Sequence, residues 1–164
     1  MLKILQLLLT IGSGFDYPNG VAVDSSGNIY VADAYNSAIK KMDSNGENMK
    51  TLGSGFYHPN GVAVDSSGNI YVADTGNSAV KRMDSSGRNI ITLGSGFYHP
   101  FGVTVDSSGN VYVADTGNSA IKRITLRSEE APRINIQPVL AMVQETLPTS
   151  GIAMEQTAMS MKAR

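Results

Sequence analysis

The sequence has no cysteine and no tryptophan. Without cysteine there can be no disulfide framework, thiolate zinc site, iron–sulfur cluster or cysteine nucleophile. An excess of one charge is also missing, because 13 Lys and Arg face 14 Asp and Glu. A strongly basic nucleic-acid binder or a polyacidic tail is therefore not expected. No apolar run approaches the roughly 20 residues needed to cross a bilayer, so no membrane-spanning segment is predicted.

Glycine is abundant, with 17 residues, and it recurs together with its surroundings. The segment that starts at Pro18 returns at Pro59 and at Pro100, which gives a period of 41 residues. Residues 12–52 and 53–93 differ at ten of 41 positions, and the third copy differs from the second at five of the first 31. A fixed period of this length is typical of repeat architectures, so the fold is predicted to consist of three similar units.

Each unit contains four short apolar segments separated by turns rich in Gly, Asn and Asp. In the second unit these segments are residues 61–64, 70–74, 78–83 and 90–93, and they predict four antiparallel strands. The frequent turns leave no run long enough for a stable helix, which excludes helical repeats. The first two strands are apolar on both sides, so both of their faces must be covered. We therefore predict an all-β fold of three four-stranded β-propeller blades, which is half a propeller.

The blade signature is PNGVAVDSSGNIYVADTGNSAVKR at residues 59–82, and it resembles the NHL repeat. The resemblance extends over residues 12–124 in three registers. It implies propeller blades, which in this family commonly build six-bladed discs. Family members often carry His-Arg after the blade Asn, where this chain has Ser-Ala, for example at Ser78 and Ala79. The resemblance therefore transfers no binding role to that pair.

The repeat also sets the predicted boundaries. The expected segments are an N-terminal apolar strand at 1–11, blades at 12–52, 53–93 and 94–136, and a helical or disordered tail at 137–164. Residues 1–11 resemble a signal peptide in having one basic residue and a short apolar run, but they lack an Ala-x-Ala cleavage site. Because residues 8–11 fall in register with the fourth strands, the strand interpretation is favoured.

The repeated carboxylates are interpreted as structural. Asp24, Asp65 and Asp106 open DSSGN turns, each of which supplies too few oxygen ligands for calcium. Asp33, Asp74 and Asp115 end the second strands, where a carboxylate can accept backbone hydrogen bonds across the hairpin. Identical placement in every blade favours architecture, since catalytic residues act in unlike roles. No catalytic residue, metal site or cofactor is predicted.

An enzymatic alternative follows from the resemblance. Some NHL-like propellers are lyases whose zinc is held by channel-facing histidines just after the blade Pro, and the corresponding residues here are Asn19, Asn60 and Phe101. Tyr35 lies where such a lyase could keep a catalytic tyrosine, but without histidine ligands it is interpreted as a turn residue. A lyase or hydrolase acting at the channel mouth remains the alternative to a binding module.

The loops that enter the first strands carry the candidate binding residues. These are Tyr17, Tyr57, His58, Tyr98 and His99. Tyrosine combines a large apolar area with a polar tip, a combination common at interaction surfaces. The neighbouring Phe15, Phe56 and Phe97 are expected to fill gaps between blades. The predicted function is a non-catalytic NHL-type propeller module that binds or scaffolds protein partners.

Three blades leave two open flanks, whereas propellers usually close with four to eight blades. Unless the chain is a fragment of a longer array, a two-fold homodimer with six blades is predicted. The fourth strand of the third blade would come from residues 133–136 or, preferentially, from residues 8–11 of the partner. Nucleic acid is not favoured, because the basic pairs at residues 40–41, 81–82 and 122–123 are interpreted as protection of sheet edges.

Overall fold

The structure is a computed structural model that describes residues 5–127. Within this range the chain forms three antiparallel sheets, one after another along the sequence. The first blade comprises β1 Pro18–Val23, β2 Ile29–Asp33, β3 Ala38–Met42 and β4 Lys50–Leu52. The second comprises β5 Pro59–Val64, β6 Ile70–Asp74, β7 Ala79–Met83 and β8 Ile91–Leu93. The third comprises β9 Pro100–Val105, β10 Asn110–Asp115 and β11 Ala120–Thr125.

The predicted all-β propeller architecture is confirmed. The strands expected in the second unit agree with β5 to β8 to within two residues at each end. Single turns of 3-10 helix, Thr75–Asn77 and Thr116–Asn118, follow β6 and β10. Residues 8–11 are exposed and pair with no strand among the described residues. The predicted strand at 133–136 and the tail at 137–164 lie outside the described residues.

The DSSGN sequence closes the first hairpin of each blade, as the second blade shows. The Asp65 carboxylate accepts hydrogen bonds from the backbone N–H groups of Ser67 and Asn69, both at 2.9 Å. Gly68 adopts a φ of +81°, a left-handed conformation that glycine enters without steric cost, and its N–H donates to the Asp65 carbonyl. The turn therefore sets the antiparallel register in which Val64 faces Ile70.

The blades pack face to face, and apolar side chains fill the spaces between them. Between the first and second blades the buried residues are Tyr30, Ala32, Ile39, Leu52, Phe56, Val62, Ile70, Val72 and Met83. Between the second and third blades they are Ala63, Tyr71, Val80, Leu93, Phe97, Val111 and Val113. The central blade is thus covered on both faces, as its apolar strands predict. No helix within residues 5–127 is long and apolar enough to cross a membrane.

Candidate functional site

A buried carboxylate joins the strands of each blade to the loop that precedes the first strand. In the second blade Asp74 is fully buried and accepts hydrogen bonds from the Tyr57 backbone N–H at 2.7 Å and the Asn77 amide at 2.8 Å. The Lys81 ammonium lies 2.7 Å from the same carboxylate and also donates to the Gly55 carbonyl at 2.6 Å. We refer to Asp74, Asn77 and Lys81 as the Asp–Asn–Lys cluster of the second blade.

The other two blades repeat this cluster. The equivalent residues are Asp33, Asn36 and Lys40 in the first blade and Asp115, Asn118 and Lys122 in the third. Every carboxylate oxygen is engaged, and the ammonium groups also lie over the rings of Phe15, Phe56 and Phe97. A carboxylate held in this way is a structural anchor, because no oxygen remains directed at a substrate.

Two of these carboxyl groups have a lowered pKa. Burial opposes ionisation of Asp33, but hydrogen bonds from Lys40, Asn36 and the Asp16 N–H outweigh burial and hold the Asp33 pKa below its ordinary value. Asp115 follows the same pattern: burial is outweighed by Asn118, Lys122 and the Tyr98 N–H, so its pKa is also lowered. These groups are therefore charged at neutral pH, which their lysine partners require.

The basic pairs on the third strands are divided between two roles. The first lysine of each pair, such as Lys81, is directed inward to the Asp–Asn–Lys cluster. The second residue faces the other side: the Lys41 ammonium lies 5.0 Å from the Tyr30 ring centre, and Arg82 donates to the Asn69 amide oxygen at 2.7 Å. The prediction that both members protect sheet edges is thus wrong for Lys40, Lys81 and Lys122. Their charge neutralises buried carboxylates instead.

The carboxylates of the turns accept hydrogen bonds from nearby residues of the same hairpin. Burial would raise the pKa of Asp24, but hydrogen bonds from the side chain and backbone of Asn28, from the Tyr30 hydroxyl and from the Ser26 N–H lower it overall. In the outer turn of the second blade, the Ser86 hydroxyl and the Arg88 N–H lower the pKa of Asp84 to about 2. Among residues 5–127, no group of three or more His, Asp or Glu side chains is arranged to hold a metal ion.

The aromatic loops separate into a buried part and an exposed part. Phe56 and Phe97 are buried in the two cores between blades, as predicted. Tyr17, Tyr57 and Tyr98 each expose more than half of their surface. His58 is half-buried and His99 is exposed.

A continuous aromatic cluster forms between the first and second blades. The rings of Tyr17 and Tyr35 are stacked with centres 4.7 Å apart and planes 10° apart. The edge of His58 meets Tyr35 at 5.4 Å between ring centres. With Asn19, Asn60 and Phe101 these rings line a groove of about 430 Å³. Sequence reasoning assigned Tyr35 only a turn role, so its part in this groove is new.

The residues that corresponded to lyase zinc ligands have another role. The Asn19 amide donates to the Asn60 amide oxygen, and the Asn60 amide donates to the His58 carbonyl at 3.3 Å. This pair links β1 to β5 at the start of both strands. Phe101, at the equivalent place in β9, is about half exposed.

The tyrosines of the second and third blades lie over glycines. A Cβ atom at Gly76 would fall 2.3 Å from Tyr57 Cδ1 and 2.6 Å from the Tyr57 carbonyl oxygen, and Gly117 stands in the same relation to Tyr98. The first blade has Asp16 in place of the tyrosine and Tyr35 in place of the glycine. This paired exchange explains why the stacked tyrosines occur in one blade, and it is the sequence signal by which Tyr35 could have been found.

Within residues 5–127 two four-stranded sheets and one three-stranded sheet follow one another and pack face to face with their first strands adjacent, which defines a β-propeller repeat protein. The NHL repeat family model matches residues 15–42, 56–83 and 97–124, which together make up just over half of the chain. The chain therefore belongs to the NHL repeat family.

No curated protein matches the sequence. Solved structures with a similar fold include a chain from the crystal structure of a nidogen/laminin complex, with a TM-score of 0.59 and 22% identity over 65% of the present chain. The match spans 42% of that neighbour, less than half of its length. The likeness shows the shared fold.

Proposed function

We propose that this chain is a non-catalytic NHL propeller module that binds a protein partner through the loops preceding β1, β5 and β9, and that two copies complete a six-bladed ring. The observation that carries the binding function is the exposed aromatic cluster of Tyr17, Tyr35 and His58. Tyr57 lies against His58, and Tyr98 forms a separate exposed pair with His99. Large aromatic side chains held outside the core supply rigid contact area, the usual content of interaction hot spots. That the fold neighbour comes from a complex of two proteins supports the same conclusion.

The arrangement of polar groups favours binding over catalysis. The three carboxylates that the blades bury are each neutralised by lysine and asparagine in the same way. The aromatic groove is lined by the amides of Asn19 and Asn60 and by aromatic rings, including the imidazole of His58. Such a surface suits planar and apolar groups of a protein loop, which stack on rings and pair with amides.

The binding proposal is tested in two stages. Affinity capture with the wild-type chain identifies a partner, whose dissociation constant is then measured with purified proteins by calorimetry. Replacement of Tyr17, His58, Tyr98 and His99 by Ala should weaken binding by more than about 2 kcal/mol, or roughly thirtyfold. The matched control is Arg123→Ala. Arg123 is an exposed residue of β11 whose side chain lies on the strand face opposite Lys122. Unchanged affinity in the aromatic variant, with loss in the control variant, would assign binding to the third-strand face instead.

The ring proposal rests on the two open flanks and on blade number. Val21 on the outer face of β1 is 67% exposed, while its repeat equivalent Val62 is 6% exposed in the core between blades. At the other end of the array Ile121 is 75% exposed, while its equivalent Ile39 is fully buried. Sedimentation of the wild-type chain should give twice the monomer mass at micromolar concentration. A soluble, folded monomer there would refute the ring.

A further inference from the structure

The first strand of the third blade has open space beside Gly102, at the position where the other two first strands contact the backbone of the next blade. We call this open space the seat. Gly20, Gly61 and Gly102 are repeat equivalents in β1, β5 and β9. A Cβ at Gly20 would lie 2.5 Å from the Asn60 carbonyl oxygen, and one at Gly61 would lie 2.7 Å from the Phe101 carbonyl oxygen. At these two positions the next blade's first strand therefore approaches too closely for any side chain.

Gly102 has the same residue type but no such neighbour. A Cβ there would meet Ala114 of its own sheet at 3.5 Å, an ordinary contact, and nothing else within 4 Å among the described residues. Its φ is outside the left-handed region, so the backbone itself does not demand glycine. The space beside it is an open apolar hollow of about 370 Å³, lined by Gly102, Thr104, Tyr112, Ala114 and Ile121.

The strand that fits this seat is present in the same chain. We call each contact between neighbouring first strands a joint. In the joint between the first two blades, Asn60 and Val62 approach Gly20. In the joint between the second and third blades, Phe101 and Val103 approach Gly61. Their equivalents in the first blade are Asn19, which is exposed although its side chain reaches Asn60, and Val21, which lies on the outer face of β1 and is 67% exposed. The chain thus carries both halves of one joint at opposite ends of its array.

We infer that Gly102 of one copy receives the Asn19 to Val21 backbone of a second copy, and that the two copies meet head to tail through two such joints. This inference rests on the ring proposed above and specifies its contacts. A head-to-tail contact closes only if the rotation between blades brings the last flank back to the first. Three blades in each copy satisfy closure when the ring contains six.

The seat predicts an unusual response to substitution. Gly102→Val should be harmless within one copy, because the added atoms enter open space and valine favours a strand. At the joint the same side chain would overlap the incoming backbone, so dimer dissociation should rise at least a hundredfold. Gly102→Ala is a milder second variant, and Ser107→Ala, in an exposed turn of the same blade, is the matched control. Circular dichroism establishes that each variant is folded.

A mixing experiment distinguishes a head-to-tail joint from a contact between like flanks. Val21→Glu places a charge on the β1 flank, so it should also abolish the dimer when tested alone. In a mixture of Val21→Glu and Gly102→Val chains, each mixed pair has one joint made only of unaltered surfaces. Equimolar mixing should therefore restore a dimer peak in sedimentation, with an affinity between those of the wild type and the single variants.

Each outcome bears on a separate statement. If the wild-type chain is a monomer, both the proposed ring and the proposed joint are wrong. If the wild type is a dimer and Gly102→Val leaves it intact, the ring stands and the seat is wrong. If both single variants dissociate and the mixture does not recover, the two flanks do not face one another. Recovery in the mixture supports the joint as described.

Discussion

Removal of the Lys81 charge tests the buried cluster of the central blade. Lys81→Met keeps the length of the aliphatic stem and its position beside Phe56, but it removes the ammonium that lies 2.7 Å from Asp74. Asp74 would keep its hydrogen bonds from the Tyr57 N–H and the Asn77 amide. The variant thus leaves a fully buried carboxylate with two of its three donors and without its cationic partner.

The expected cost is about 3 kcal/mol. Loss of one partner from a buried ion pair costs about 3–5 kcal/mol, and the lower end applies because the Lys81 side chain is 16% exposed and Asp74 keeps two donors. Lys122→Met should cost less, since the Lys122 side chain is 34% exposed. Against a typical total stability of about 5–15 kcal/mol, both effects are measurable.

Urea denaturation gives the free energies of unfolding, and all variants are measured at one protein concentration so that the mass-action contribution of association is held constant. Lys50→Met, an exposed lysine in β4, is the control and should stay within about 0.5 kcal/mol of wild type. The double variant Lys81→Met with Asp74→Asn should recover at least about 1 kcal/mol, because it no longer buries an unpaired charge. A cost for Lys81→Met no larger than that of the control would refute the structural role of the cluster.

Three further predictions concern other parts of the chain. Hydrogen bonds hold the pKa of Asp33 below its ordinary 3.8, so on acidification Asp33 takes up a proton in the unfolded chain before it does so in the folded one. The free energy of unfolding should therefore be level from pH 7 to about 5 and fall below about pH 4. The fall should be less steep in Asp33→Asn. Gly76→Ala should cost about 1–3 kcal/mol in urea denaturation, because its Cβ would overlap Tyr57, and adding Tyr57→Asp should restore part of the loss; additive costs would contradict this. Deletion of residues 1–11 should weaken the proposed dimer in sedimentation, and full retention of the dimer would exclude a swapped N-terminal strand.

The internal repeat made the strand order and the propeller fold predictable from the sequence. A period of 41 residues with a turn signal between apolar segments determines strand number and order, and both are local properties. The backbone hydrogen bonds to Asp33 and its equivalents were also predicted from the sequence, since a carboxylate at this position of a hairpin can accept them. Their full burial was not predicted. The pairing of Lys40 with Asp33 was not, because two lysines in succession point to opposite faces of a strand and the sequence does not say which faces inward.

The candidate site was only partly accessible to the same reasoning. The tyrosines and histidines were visible as aromatic residues that recur in the loops before the first strands. Their separation into a stacked group and isolated pairs depends on the distance between neighbouring blades. The first blade differs from the other two at two positions together: Asp16 replaces their tyrosine and Tyr35 replaces their glycine. As a result the ring of Tyr35 stacks on that of Tyr17. Either exchange alone would be interpreted as random variation between repeats. Only the contact in the folded structure shows that the two compensate one another.

The Asp–Asn–Lys clusters have a consequence for how such a chain can lengthen. All members of a cluster, together with the carbonyl that the lysine reaches, fall within one period: Gly55, Asp74, Asn77 and Lys81 belong to residues 53–93. A tandem duplication with its ends between blades therefore adds a unit whose buried charges are already neutralised. Matching apolar faces is the main remaining requirement, and near-identical copies meet it automatically. Gene duplication can thus extend the array without passing through an intermediate that buries an unpaired carboxylate.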